Sequence, residues 1–229
     1  GAMRAVAVLL SYEIPVVLAL AGVVLVAGSM SILTIADSQK YILYVLVQPL
    51  GAFVFIVGAS AEMNRSPFDI VEAESELVAG YHTEYSGIKF GVFQAAEFAA
   101  VLINSAIFVN LFLGGWSGLF LSSQLGALWF IIKILFVVFL FEWIRFTIPR
   151  LRIDQIMAFA WKYLLPLSLI NLVVTSVEIY VFQFHVNPGS ISTGELWLMA
   201  GINIIIAGVC IPIFGNLVGE KITPPSREP

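Results

Sequence analysis

The stretch ALWFIIKILFVVFLFEWIRFT, Ala127–Thr147, is apolar almost throughout, with only Lys133, Glu142 and Arg145 as charged residues. A helix needs about 20 mainly apolar residues to cross the hydrocarbon core of a bilayer, and this run has that length. Its apolar residues are continuous rather than alternating with polar ones, which argues against strands. Five further runs of the same kind surround it, near Ile14–Ile35, Tyr41–Ala61, Phe90–Trp116, Ala158–Phe182 and Leu196–Val218. The chain therefore reads as all-α. It forms one polytopic transmembrane bundle over residues 1–229, with about six spanning helices and no linker to divide it.

Composition points the same way. The 229 residues are 60% hydrophobic and 11% charged, against about 25% charged in soluble domains, and the mean hydropathy is +0.98. A net charge of −4 and the lack of any basic run give no support to nucleic acid as a partner. The single cysteine, Cys210, cannot form an internal disulfide, and His82 and His185 have no ligand partners at metal-binding spacing. No redox cofactor or metal is expected on this chain. The first residues, GAMRAVAVLLSYEIPVV, do not read as a signal peptide, because Glu13 interrupts the apolar run and no small-residue cleavage site follows.

Small residues recur within the spans (Gly22, Gly28, Gly51, Gly58, Gly201, Gly208) and would permit close helix approach. Pro49, Pro166 and Pro212 predict kinks. If connections alternate sides, one side receives Arg4, Arg65, Lys89, Arg145, Arg150, Arg152, Lys162, Lys221 and Arg227, and the other only Lys40. Loops rich in lysine and arginine face the cytoplasm, or the matrix in an organelle, so that side is expected there.

The same side carries the connection 62–89, with six acids, Glu62, Asp69, Glu72, Glu74, Glu76 and Glu84, against Arg65 and Lys89. Asp69, Glu72 and Glu76 would share one helical face. They read either as a solvated surface or as a coupled cluster whose proton occupancy answers to a neighbouring ligand or redox event. Glu97 lies about two turns inside a span, where an ionisable residue is a functional candidate by default; a hydrogen-bonded neutral carboxyl is the alternative. Glu13 and Glu62 sit near the ends of their spans. Lys133 and Glu178 lie near the outer ends of theirs, and Lys133 is expected to snorkel toward water. The connection 142–157, with Glu142, Arg145, Arg150, Arg152 and Asp154, is either a membrane anchor with local ion pairs or a basic wall facing the acids.

These residues carry a family resemblance. AEMNRSPFDIVEAESELVAGYHTEYSGIKF (Ala61–Phe90) resembles, without gaps, the signature connection of the H subunit of proton-pumping NADH-quinone oxidoreductase, the ND1-type membrane subunit of respiratory complex I. RAVAVLLSYEIP (Arg4–Pro15), LFLGGW (Leu111–Trp116) and FEWIRFTIPRLRIDQIMAFAWKYLLPLSLINL (Phe141–Leu172) agree with it. Ile70 and Val71 replace the family's common Leu and Pro. Members of that family are usually longer and place about three helices before the Arg4–Pro15 stretch, so this chain looks like a C-terminal part.

The resemblance implies a wall of a quinone-reduction chamber and the start of a proton-coupling path. By position, it assigns Asp69, Glu72, Glu74 and Glu76 to the chamber loop, and Glu13, Glu62 and Glu97 to the path. Arg65, Arg145, Arg150 and Arg152 would stand in the chamber's surroundings. Flavin mononucleotide and iron–sulfur clusters would belong to partner subunits, with quinone as substrate, in a bacterial inner membrane or its organelle equivalent. Competing readings are the homologous subunit of a ferredoxin- or deazaflavin-linked complex or group 4 hydrogenase, and a standalone ion transporter.

Overall fold

The computed structural model describes residues 2–63, 68, 85–118, 122–149, 152–182 and 193–222. All regular elements among them are helical. The first, α1, runs over Ala2–Ala27 with Pro15 inside it. It starts some twelve residues before the apolar run predicts, because Glu13 is accommodated on an exposed face rather than ending the helix. Gly28 stops it at φ 65°, its amide donating to Val24 O at 2.9 Å. A short α2 (Ile32–Ser38) follows.

The second predicted span is two helices. α3 (Tyr44–Val47) and α4 (Pro49–Glu62) meet at Gln48, whose φ of −132° and ψ of 65° lie outside the helical region. The cause is Pro49: its ring disfavours helical geometry at the residue before it, while Pro itself is well placed in the first turn of α4. Two longer helices follow, α5 (Ile88–Phe112) and α6 (Ser122–Thr147), then α7 (Ile153–Phe159), which runs through a π-turn, Ala160–Leu164, into α8 (Leu165–Tyr180). Pro166 occupies the first turn of α8. Without an N–H it cannot continue the regular ladder, and the π-turn takes up the mismatch. α9 (Thr193–Ile222) contains Pro212 without a break in its helical run.

Five stretches are long and apolar enough to cross a membrane: Val6–Ala27, Ile88–Phe112, Leu125–Thr147, Ile153–Tyr180 and Gly194–Ile213. With the broken α3–α4 pair they make the expected polytopic bundle. Large apolar side chains cover its outside, as on α6, where Ile131, Leu135, Phe136 and Phe139 are exposed. On a soluble protein such a surface would be anomalous; against lipid tails it costs nothing.

α1 packs along α4 and α8. Gly58 makes the α1–α4 approach possible, since a Cβ there would collide with Val16 Cγ2. Gly58→Leu is expected to push the helices apart and cost about 1–3 kcal/mol or more, as overpacking does. The loss is measurable as a lowered melting temperature of the purified protein in detergent. Phe55, Phe108 and Phe112 join α4 to α5, with ring centroids 5.0 to 5.9 Å apart.

Candidate functional site

Tyr12 organises one end of the bundle. Its hydroxyl donates to Ile156 O at 3.0 Å, tying α1 to the start of α7. Its ring meets Phe68 edge-on at 5.3 Å. Phe68 is buried and belongs to the acidic connection, so this one residue of it is fixed beside Tyr12. Gly58 lies against Tyr12 and Val16, and Glu62 follows Gly58 by one helical turn, about 6 Å along the axis. Tyr12, Phe68 and Ile156 thereby meet at the end of the bundle where α7 begins.

Glu13 and Glu62 are both exposed on this chain, directed away from its own core. Glu97 is half-buried on α5 and accepts a hydrogen bond from Gln94 Nε2 at 3.4 Å. Arg145, in the last turn of α6, pairs with Glu142 at 3.4 Å and lies over Phe146. That is the local-anchor arrangement. Arg152 caps α7, its backbone amide donating to Gln155 Oε1 at 3.1 Å. Arg65, Asp69, Glu72, Glu74, Glu76 and Arg150 lie outside the described residues, as do His82 and Glu84.

An apolar cleft of about 640 Å³ opens at this same end between α4, α6 and α7. Phe53, Val57, Phe68, Leu140, Ile144 and Phe159 are among its walls. Ser60 is the polar side chain on it, and its hydroxyl already donates to Ile56 O at 2.7 Å. The cleft suits an apolar chain rather than a charged or hydrogen-bonding group.

One expectation at the opposite end needs correction. Lys133 does not extend to water. Its ammonium donates to three backbone carbonyls, Leu113 O at 2.6 Å, Gly115 O at 3.1 Å and Ser117 O at 2.5 Å. The turn that presents them exists because Gly114 and Gly115 adopt φ of 70° and 51°, values that residues with a Cβ rarely take. Glu178 lies in the last turn of α8, near the end of its span as expected, but in a buried position. It is 7% exposed and accepts from Asn203 Nδ2 at 2.7 Å.

Sequence reasoning also missed further buried polar residues on or against the face of α8 that carries Glu178: Gln48, Ser168, Asn171 and Thr175. Their signal was available in the three-, four- and three-residue spacing of Ser168, Asn171, Thr175 and Glu178, which places all four on one helical face.

A helical bundle with a largely apolar outer surface and a buried polar face within defines a multi-pass membrane protein. Comparison with known proteins is specific. Residues 1–176 match the family model described as NADH dehydrogenase. A protein of Dehalococcoides mccartyi strain CBDB1, named as the H subunit of NADH-quinone oxidoreductase, is 56% identical over 216 residues, covering 94% of this chain and 58% of the relative. Its counterpart in Geobacillus kaustophilus, of the same name, is 51% identical over 178 residues, 77% of this chain and 54% of the relative. The chain belongs to the NADH dehydrogenase family, with relatives named as the H subunit of a quinone-linked oxidoreductase. It spans about half the length of the curated relatives it matches.

Proposed function

We propose that this chain forms part of the membrane subunit of a proton-translocating NADH-quinone oxidoreductase, supplying one wall of the quinone chamber and the first acids of the coupling path. The observation that carries the reading is the family match over residues 1–176, joined to the docking of Phe68 on Tyr12. That contact fixes one residue of the acidic connection against the residue that precedes Glu13.

Quinone reduction adds two electrons and two protons to the ring. Negative charge that builds before protonation is complete raises the proton affinity of nearby carboxylates in a poorly screened chamber. Asp69, Glu72, Glu74 and Glu76 would respond first, with Arg65, Arg145, Arg150 and Arg152 supplying compensating positive charge. Glu62, Glu13 and Glu97 would pass the change into the membrane as a proton or a shift of charge. The exposure of Glu13 and Glu62 fits this reading, because their partners would be further helices and subunits that this chain does not itself supply. The cleft beside Phe68 would offer an apolar wall to a quinone tail. The polar contacts of the ring would come from the connection 62–89 and from neighbouring subunits.

In this reading the chain binds no redox centre; flavin and iron–sulfur clusters sit in partners, and the connection 62–89 faces the cytoplasm or matrix. Native purification tests it. Subunits that bind NADH, flavin and iron–sulfur clusters are expected to co-purify, and the preparation is expected to reduce quinone with NADH. Recovery of hydrogenase subunits, or of this protein alone and active in ion transport, would replace the proposal.

A further inference from the structure

Ser168, Asn171, Thr175 and Glu178 line one face of α8, and all are at least nine-tenths buried, with exposures of 0%, 2%, 0% and 7%. The ten steps from first to last cover about 15 Å. α8 continues the column that Arg152 begins, so Glu178 stands at the end of the bundle opposite Glu62. Gln48 joins this face from the break between α3 and α4, 1% exposed, and Asn203 joins it from α9, 4% exposed.

The hydrogen bonds set the direction of each group. Thr175 Oγ1 donates its one proton to Asn171 O at 2.8 Å, so it can only accept from Gln48 Nε2, 3.0 Å away. This orients the Gln48 amide and leaves its Oε1 buried without a partner among the described residues. Asn171 Nδ2 is left in the same state. Both orphaned atoms face the same glycines: a Cβ on Gly22 would lie 3.1 Å from each, and one on Gly51 would lie 3.1 Å from Asn171 Nδ2 and 3.4 Å from Gln48 Oε1. One end of this face is therefore an acceptor beside a donor, over bare backbone. At the other end, Glu178 Oε1 is also buried without a partner among the described residues.

A buried acceptor and a buried donor turned to one place call for a ligand that can both donate and accept. Water does so. A metal cation would meet the Asn171 NH2 group, and an anion would meet the Gln48 carbonyl oxygen. We propose that Gly22, Gly51, Gln48 and Asn171 hold ordered water, and that water along this face of α8 carries protons to and from Glu178, a proton-holding carboxyl at the end of the bundle away from the acidic connection. An excess proton on the water file would move to the carboxylate of Glu178, neutralising it, and leave from the same carboxyl. Only O–H bonds form and break, and no electrons move. This inference rests on the reading of the chain as part of a proton-translocating quinone reductase.

The test uses the complete complex in phospholipid vesicles, with NADH oxidation and proton transport recorded separately. If the unmodified complex does not reduce quinone with NADH, the underlying reading fails, whatever the variants do. Given that activity, Glu178→Gln and Asn171→Leu are each expected to lower protons moved per NADH oxidised to about half or less, as loss of a proton-transferring group should. NADH oxidation in the presence of an uncoupler is expected to persist, and Glu178→Asp to retain most of the transport. Unchanged proton-to-NADH ratios in both assembled variants would overturn the proposal. A high-resolution map of the unmodified complex decides independently of any variant. Water within hydrogen-bond distance of Gln48 Oε1 and Asn171 Nδ2 is expected. A dry recess, or the two amides bonded directly to each other, would refute it.

Discussion

Glu97→Gln in the assembled complex is expected to lower NADH-driven proton transport by roughly a hundredfold, the low end of what a positioned proton-transfer group contributes. The side chain is half-buried in an apolar helix and held by Gln94 Nε2 at 3.4 Å. Glutamine is nearly the same size and keeps a hydrogen-bonding oxygen, so packing and the Gln94 contact survive. What is lost is a group that can hold a proton in one state and a negative charge in the other. In low dielectric that difference is large. Quinone reduction is expected to fall with proton transport if the two are obligately coupled. Vesicle-based transport and NADH oxidation with a water-soluble quinone measure both. Wild-type rates of each in a fully assembled Glu97→Gln complex would remove Glu97 from the coupling path.

Lys133→Met should produce the largest effect on stability. Methionine preserves the apolar stem but supplies no donor, leaving the carbonyls of Leu113, Gly115 and Ser117 without their shared ammonium. A buried acceptor deprived of its partner costs about 1–3 kcal/mol, and these three are part-buried, so a total of roughly 3 kcal/mol is expected. The α5–α6 turn would loosen, although the bonds from Gly115 N to Val109 O and from Ser117 N to Gly114 O would still hold part of it. Thermal unfolding in detergent should shift down, with early proteolysis between Phe112 and Ser122. Lys133→Arg is expected to rescue only in part, because a planar guanidinium cannot direct three donors at carbonyls arranged around a point as an ammonium can. An unchanged melting temperature for Lys133→Met would show that the carbonyls are satisfied otherwise.

Much of the fold is legible in the chain because membrane burial imposes one strong rule, a long apolar run for each crossing. The run around Ala127–Thr147 states it openly, and α6 occupies that place. Helix ends are less legible, because they depend on backbone geometry. Glu13 marks no boundary, whereas Gly28 does through its left-handed φ. Pro49 predicts a disturbance, but only the backbone at Gln48 turns it into a complete break that aims a polar side chain inward.

The acids are conspicuous in sequence because charge is rare in such a chain. The placing of Phe68 from the acidic connection is not, since it depends on Tyr12 meeting both Ile156 and Phe68. Lys133 is equally visible as an anomaly. Its partners are carbonyl oxygens, which every residue has and no sequence distinguishes. Asn171 and Thr175 escaped notice for the opposite reason: small uncharged polar residues are common in membrane helices, and only their shared face gives them meaning.

The π-turn at Ala160–Leu164 acts as a one-residue shim in the long column from Ile153 to Tyr180. Every residue added to a helix rotates the remainder of the column by about a quarter of a revolution. The direction in which Asn171, Thr175 and Glu178 point is thus set by the spare residue in that turn as well as by their own spacing. With it, the near end of the column can present Ile156 to Tyr12 while the far end presents its polar face to Gln48. Without it, one end could be indexed correctly only by turning the other toward the lipid.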